Sequence, residues 1–305
     1  MAVSQSPHAS RASDPPDRPS TLRALLERYG LRARKELGQH FLCDPHILER
    51  IVRAAELTPD DTVLEIGPGP GMLTHQLARA AGRVVAVELD QGMVNLLRAE
   101  MADLANVEIV HGDILKLDPP CLVQPSPGRF NATAPTRYSV VANLPYYITS
   151  AAIRRLLESV PPPERLVLTL QLEVAQRIVA LPGDMSMLAV SVQFYGQPHL
   201  VARIPAGAFV PAPQVDSAVL RIDTYPTPPV DVPTRAGFFR VVKAGFSQKR
   251  KQIKNALSAG LALHTDGVVA ALLQAGIEPQ RRAETLSLDE WAALTRVLAA
   301  NSLDS

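Results

Sequence analysis

Asn143-Leu144-Pro145-Tyr146-Tyr147 follows the apolar run Tyr138-Ser139-Val140-Val141-Ala142, which puts an amide, a rigid proline and an aromatic ring at the end of a predicted buried strand. Such a grouping suits attack by an exocyclic amine of a nucleic-acid base. The amine of adenine is a poor nucleophile because its lone pair is delocalised into the ring. It needs acceptors for its two hydrogens so that the nitrogen can pyramidalise as charge develops. The side-chain oxygen of Asn143 is one candidate acceptor. Pro145 fixes its own φ and biases Leu144 toward an extended conformation, so the Leu144 carbonyl is the other. Tyr146 offers a face for an unstacked base, a contact worth roughly 1–3 kcal/mol. The same residues also read as a strand followed by a turn that the Asn143 side chain closes.

A second constellation lies upstream. Thr62-Val63-Leu64-Glu65-Ile66 leads into Gly67-Pro68-Gly69-Pro70-Gly71 and then the helical pattern of residues 72–78. Glycines here let the backbone approach a ligand closely, and the helix start offers free N–H groups; an ordinary tight turn is the alternative. The next apolar strand, Arg83-Val84-Val85-Ala86-Val87, ends in Glu88, a carboxylate about 20 residues on that could accept both ribose hydroxyls of a nucleoside cofactor. It could equally be a solvated strand end. After Val107-Glu108-Ile109-Val110 comes Asp113, a candidate acceptor for the cofactor's adenine amine or an Asx turn. A dinucleotide fingerprint wants Gly-x-Gly-x-x-Gly, and Met72 occupies the third place. The Gly-x-Gly-x-Gly spacing after Glu65 resembles the first motif of class I methyltransferases and favours S-adenosylmethionine over nicotinamide.

The ordered set becomes specific when Lys35-Glu36-Leu37-Gly38-Gln39-His40-Phe41-Leu42 and Phe209-Val210-Pro211-Ala212-Pro213-Gln214-Val215-Asp216-Ser217 are added. Over roughly residues 21–300 the chain resembles the ribosomal RNA adenine dimethyltransferase family, and most its bacterial small-subunit branch. The resemblance implies transfer of two methyl groups from S-adenosylmethionine to N6 of each of two adjacent adenines near the 3′ end of 16S rRNA, in an immature small subunit. It carries His40 and Leu42 over as residues closing on the cofactor, with Gly67, Gly69, Glu88, Asp113 and Asn143 holding it. It sets Phe209 against the flipped base opposite Tyr146, although Phe209 also reads as a core residue. Leu172 stands before Glu173-Val174-Ala175 where many relatives have lysine, so no polar role is expected at 172.

These residues need a scaffold. Strands near 63–66, 84–87, 107–110, 138–142 and 166–171 alternate with helical patterns, which predicts a mainly parallel Rossmann-like α/β sheet with helices on both faces. Ligands in such sheets sit beyond the carboxyl ends of the strands, where Glu88, Asp113 and Asn143 fall. Helices are predicted near 21–29 and 46–55 ahead of the glycine loop. Thr224-Tyr225-Pro226-Thr227-Pro228-Pro229 reads as a linker, and 234–246, 248–260, 266–275 and 287–300 as helices. The expected organisation is a disordered tail over 1–20, a methyltransferase domain over 21–225 and a helical RNA-binding domain over 226–305.

Charge and composition bound the partners. The 305 residues carry a net charge of only +1, so an RNA footprint must be concentrated in a patch. Arg240, Lys243, Lys249, Arg250, Lys251 and Lys254, with no acid among them, are that patch or a solvated helix face. The apolar content of 47% suits a sizeable core, and no apolar run reaches the roughly 18 residues of a membrane span. Cys43 and Cys121 have neither disulfide nor zinc spacing, so reduced thiols, a cytoplasmic location and no metal are expected. The alternatives are a large-subunit adenine methyltransferase conferring antibiotic resistance, a nicotinamide oxidoreductase, and a ribosome-assembly or RNA-binding factor without methylation.

Overall fold

The computed structural model describes residues 19–124 and 137–301. Most of the expected tail lies outside the described residues, and Pro19 and Ser20 open the helix Pro19–Arg28. In chain order the strands are β1 (Phe41–Leu42), β2 (Thr62–Ile66), β3 (Arg83–Glu88), β4 (Val107–His111), β5 (Tyr138–Asn143), β6 (Arg165–Gln171), β7 (Gly196–Ile204), β8 (Phe209–Val210) and β9 (Ser217–Thr224). The main sheet runs β4-β3-β2-β5-β6-β9-β7, and β1 pairs β8 in a separate two-stranded clasp. β2 to β6 run parallel to one another, while β9 lies antiparallel between β6 and β7. β7 and β9 are additions to the strands read from sequence. Their alternation, Val219-Leu220-Arg221-Ile222 for one, sits directly before the proline-rich linker and was masked by it.

Register decides what meets at the carboxyl edge. Ile66 lies opposite Val87 on one side and Ala142 on the other, so Gly67, Glu88 and Asn143 leave three adjacent strands at one level. Strand order reverses between β2 and β5, the crevice where such sheets bind ligands. The central strands are largely apolar because both faces are covered, with Glu65 and Thr169 as buried polar exceptions. Val63, Val84, Val141 and Val167 pack into one core layer, and Leu64, Val85, Val140 and Leu166 into the other. The helix Pro45–Ala55 on the first face begins with Asp44, whose Oδ1 accepts from the amides of His46 and Ile47 at 2.9 and 3.3 Å. This carboxylate cap satisfies two otherwise orphaned donors.

A third core surrounds the buried Trp291 and joins the C-terminal helices Arg235–Gly245, Ile253–Leu261, Thr265–Gln274 and Leu288–Asn301. Met185, Ala189, Val190 and Phe194 belong to it, although they precede residue 225. Val192, on the same helix Met187–Tyr195, packs into the sheet instead. The expected helix over 248–260 starts only at Ile253, after an extended Gln252. Just past the end of the preceding helix the Ser247 hydroxyl donates to the Ala244 carbonyl at 2.6 Å, a side-chain bond of the kind that competes with helix continuation. Lys249, Arg250 and Lys251 therefore sit on a turn, not on a helix face.

Candidate active site

The strand–loop–helix around residues 66–72 makes the floor of the site. Gly67 and Gly69 take φ of +67° and +55°, and a β-carbon on Gly69 would lie 2.9 Å from the Phe41 ring. Only glycine fits a backbone so bent and so closely covered. The Gly69 amide donates to Glu88 Oε2 at 3.1 Å and the Asp90 amide to Oε1 at 2.9 Å, which ties the loop to the end of β3. Burial pushes the Glu88 carboxyl up, against the pull of those amides. Each carboxylate oxygen has a second lone-pair direction, so a vicinal diol can still be accepted there. Asp113 keeps its Oδ1 on the Leu115 amide at 3.0 Å, the Asx geometry, and still lines the cleft.

The wall opposite is built from the end of β5. Asn143 Nδ2 donates to the His40 carbonyl at 2.9 Å. A carbonyl cannot donate, so the amide orientation is fixed and Oδ1 is the atom left for a ligand. The Leu144 amide donates to the Thr169 carbonyl at 3.2 Å, and its side chain is buried. Pro145, at φ −56° and ψ 133°, turns the chain outward. The Tyr146 hydroxyl bonds Ser217 Oγ at 2.8 Å, and its ring stacks on His40 with centroids 5.9 Å apart and planes 21° apart. His40 Nδ1 lies 2.7 Å from the Pro211 carbonyl, so Nδ1 carries the proton in that bond. Burial raises the Tyr146 phenol, which stays protonated and neutral near pH 7.

One cleft, enclosing about 960 Å³ and open at its mouth, is lined by His40, Gly67, Gly69, Glu88, Asp113, Asn143, Leu144, Pro145 and Tyr146 among others. Two expected residues are not brought to it. Leu42 is 3% exposed and pairs with Phe209 in the clasp between β1 and β8. Phe209 is also 3% exposed and belongs to the core on the helix Pro45–Ala55 side. The short β8 makes a strand of its backbone and turns the ring inward, so it is not set against Tyr146. The aromatic beside Tyr146 is His40. Ser217, the anchor of Tyr146, is a fully buried hydroxyl that sequence reading passed over. Its signal was a serine closing an apolar run's start. Phe41 and Tyr147 line the cleft and were also passed over.

Arg240, Lys243, Lys249, Arg250 and Lys251 are exposed and Lys254 is half-buried. Among the described residues none of the six enters a salt bridge. Among the described residues no cluster of three His, Cys, Asp or Glu side chains forms a metal-holding group, and no helix is long and apolar enough to cross a membrane.

The family model described as Ribosomal RNA adenine dimethylase matches residues 30–300. A ribosomal RNA small subunit methyltransferase A of Dehalococcoides mccartyi is 45% identical over 291 residues, 95% of this chain and 97% of the relative. The solved 23S rRNA methyltransferase ErmE is 30% identical with a TM-score of 0.66, covering 85% of this chain and 99% of its own. A Plasmodium falciparum dimethyladenosine transferase, 24% identical with a TM-score of 0.69 over 86% of this chain and 98% of its own, shares the fold.

Proposed function

The chain belongs to the ribosomal RNA adenine dimethylase family, and from that premise we propose that it dimethylates N6 of two adjacent adenines near the 3′ end of 16S rRNA. The methyl donor is S-adenosylmethionine and the working substrate an immature small subunit in the cytoplasm. The observation that carries this reading is the meeting of an oriented amide oxygen, a proline-fixed carbonyl and a tyrosine face at one strand end, beside a glycine loop and an acid.

The residues present fit the donor. Gly67 and Gly69, at positive φ in the lining of the cleft, present bare backbone that a ligand can approach closely, and Glu88 lies one strand over at the same level. Asp113 and Ile114 line the far end of the cleft, where an adenine would lie. S-adenosylmethionine, when bound, supplies an electrophilic methyl group. Asn143 Oδ1 and the Leu144 carbonyl accept the N6 hydrogens and direct the lone pair outward. Tyr146, neutral and held by Ser217 and His40, keeps the base plane fixed, so orientation supplies much of the rate. Each transfer would form one N–C bond at N6 as the donor's methyl–sulfur bond breaks, leaving S-adenosylhomocysteine, and one N6 proton would be released. After the first round a single N6 hydrogen remains, so one acceptor must give way to a methyl.

We take residues 21–225 as the catalytic unit and 226–305 as the unit that grips RNA through Arg240, Lys243, Lys249, Arg250, Lys251 and Lys254. The small-subunit assignment is favoured over a large-subunit one by the identities, 45% against 30%. Incubating the chain with labelled donor and unmethylated 30S or 50S particles tests both. Mass spectrometry is expected to find dimethyladenosine at two adjacent 16S positions; label in 23S RNA alone would reverse the assignment.

A further inference from the structure

We propose that Tyr147 is a second base-stacking platform, placed at the mouth of the cleft to hold the nucleotide adjacent to the one being methylated. The inference rests on the function proposed above and adds a subsite to it. Tyr146–Ile148 is a single 3-10 turn, in which successive side chains point about 120° apart. Tyr146 is thus sent inward to His40 and Ser217, and Tyr147 outward. Tyr147 is 61% exposed and still lines the cleft, so it borders both the site and solvent.

Its setting is built, not incidental. Gly38 has φ +60°, and a β-carbon there would stand 3.4 Å from Tyr147 Cδ1 and 3.6 Å from Pro145 Cβ. The Cδ1–Cε1 edge of the ring therefore stands beside the Gly38 backbone, with no room to spare for a side chain there, which restrains it before any ligand arrives. The hydroxyl has no hydrogen-bond partner among the described residues, unlike that of Tyr146. An aromatic ring held against the site and left 61% exposed offers a free face on which a base can stack. The substrate supplies the reason: two adjacent adenines must each enter one cleft. When one is inside, the other lies a nucleotide's length away at the mouth. Stacking is tolerant of which base arrives, so one platform serves both rounds.

The test uses the full chain and unmethylated small subunits, with wild type, Tyr147→Ala and Tyr147→Phe. Donor affinity is measured by calorimetry with S-adenosylhomocysteine, and KM for subunits, kcat and methylation at each adenine by mass spectrometry. Tyr147→Ala is expected to raise KM for subunits about 10-fold or more, within the range of one lost stacking contact, while donor affinity stays unchanged. Tyr147→Phe, which keeps the ring face, is expected to recover most of that loss. A subunit whose neighbouring adenine is replaced by an abasic residue should affect wild type and hardly affect Tyr147→Ala. If wild type methylates and Tyr147→Ala keeps the wild-type KM, or if the abasic substrate weakens both chains equally, the platform is refuted while the function stands. If wild type methylates no subunit RNA, the proposed function falls and takes this inference with it.

Discussion

Asn143 shows how little freedom a strand-end amide can be given. With Nδ2 committed to the His40 carbonyl, Oδ1 has one direction left. Asn143→Ala is expected to keep donor binding and lower the methylation rate by about 10²-fold or more, the loss of one oriented transition-state contact; single-turnover kinetics with donor calorimetry measure the two separately. Glu65 behaves differently. It is buried at the end of β2, its Oε2 has no partner, and burial, aided by the charge of Glu88, pushes its carboxyl up to about 8. Between the ordinary carboxylate range and about pH 8 the folded chain keeps a proton that the unfolded chain releases. Stability should therefore fall as pH rises through that window. Glu88 is raised too and acts in the same direction, whereas Glu56, Asp216, Asp223 and Glu290 are lowered and act in more acid solution. Glu65→Gln should flatten, without abolishing, the decline in Tm between about pH 5 and 8. A Gln variant with the wild-type slope would show that Glu65 ionises freely.

At the scale of elements, the break after Gly245 changes how the basic run is displayed. A helix would space Lys249, Arg250 and Lys251 around its axis at about 100° per residue, so only some could face one phosphate run. Lys249, Arg250 and Lys251 instead stand exposed on a turn between two packed helices, free of that spacing. Changing all three to Ala should remove about three phosphate contacts and flatten the slope of log affinity against log salt by about 2 units. Donor affinity should hold. Subunit binding over a salt series gives the answer, and an unchanged slope would move the RNA grip to another surface. The clasp is the other element with leverage: Phe41 and Leu42 pair with Val210 and Phe209, and His40 reaches Pro211, so a segment far off in sequence braces the one that carries His40 and Phe41 into the cleft lining.

Across the whole molecule, the helix Met187–Tyr195 joins the sheet to the C-terminal helices. Val192 packs into the sheet's core, while Phe194 stacks on Phe238 at 4.8 Å and meets Phe239 edge-on at 5.2 Å. A boundary at residue 225 therefore does not divide the packing, since Met185, Ala189, Val190 and Phe194 share the core of the C-terminal helices. Phe194→Ala is expected to destabilise the chain by about 3–5 kcal/mol. Calorimetry should show one transition moving down as a unit. A C-terminal transition separating from an unmoved main one would mean that the shared helix does not couple them.

The order of chemical residues was legible in the sequence because each group is local: a strand of apolar residues, then Gly67 and Gly69, then Glu88, then Asn143 to Tyr146. Parallel strands with aligned register bring such strand ends together whatever the side chains beyond them, so reading their order was enough to find one crevice. The lateral partners were not legible. Asn143 meets the His40 carbonyl across 103 residues, Tyr146 meets Ser217 across 71, and His40 meets Pro211 across 171. No periodicity records a contact of that kind. Phe209 illustrates the same limit, since an aromatic in a proline-rich loop can face a ligand or the core with equal local cost. Only the pairing of β1 with β8, a tertiary event, turned it inward and left His40 as the ring that supports Tyr146.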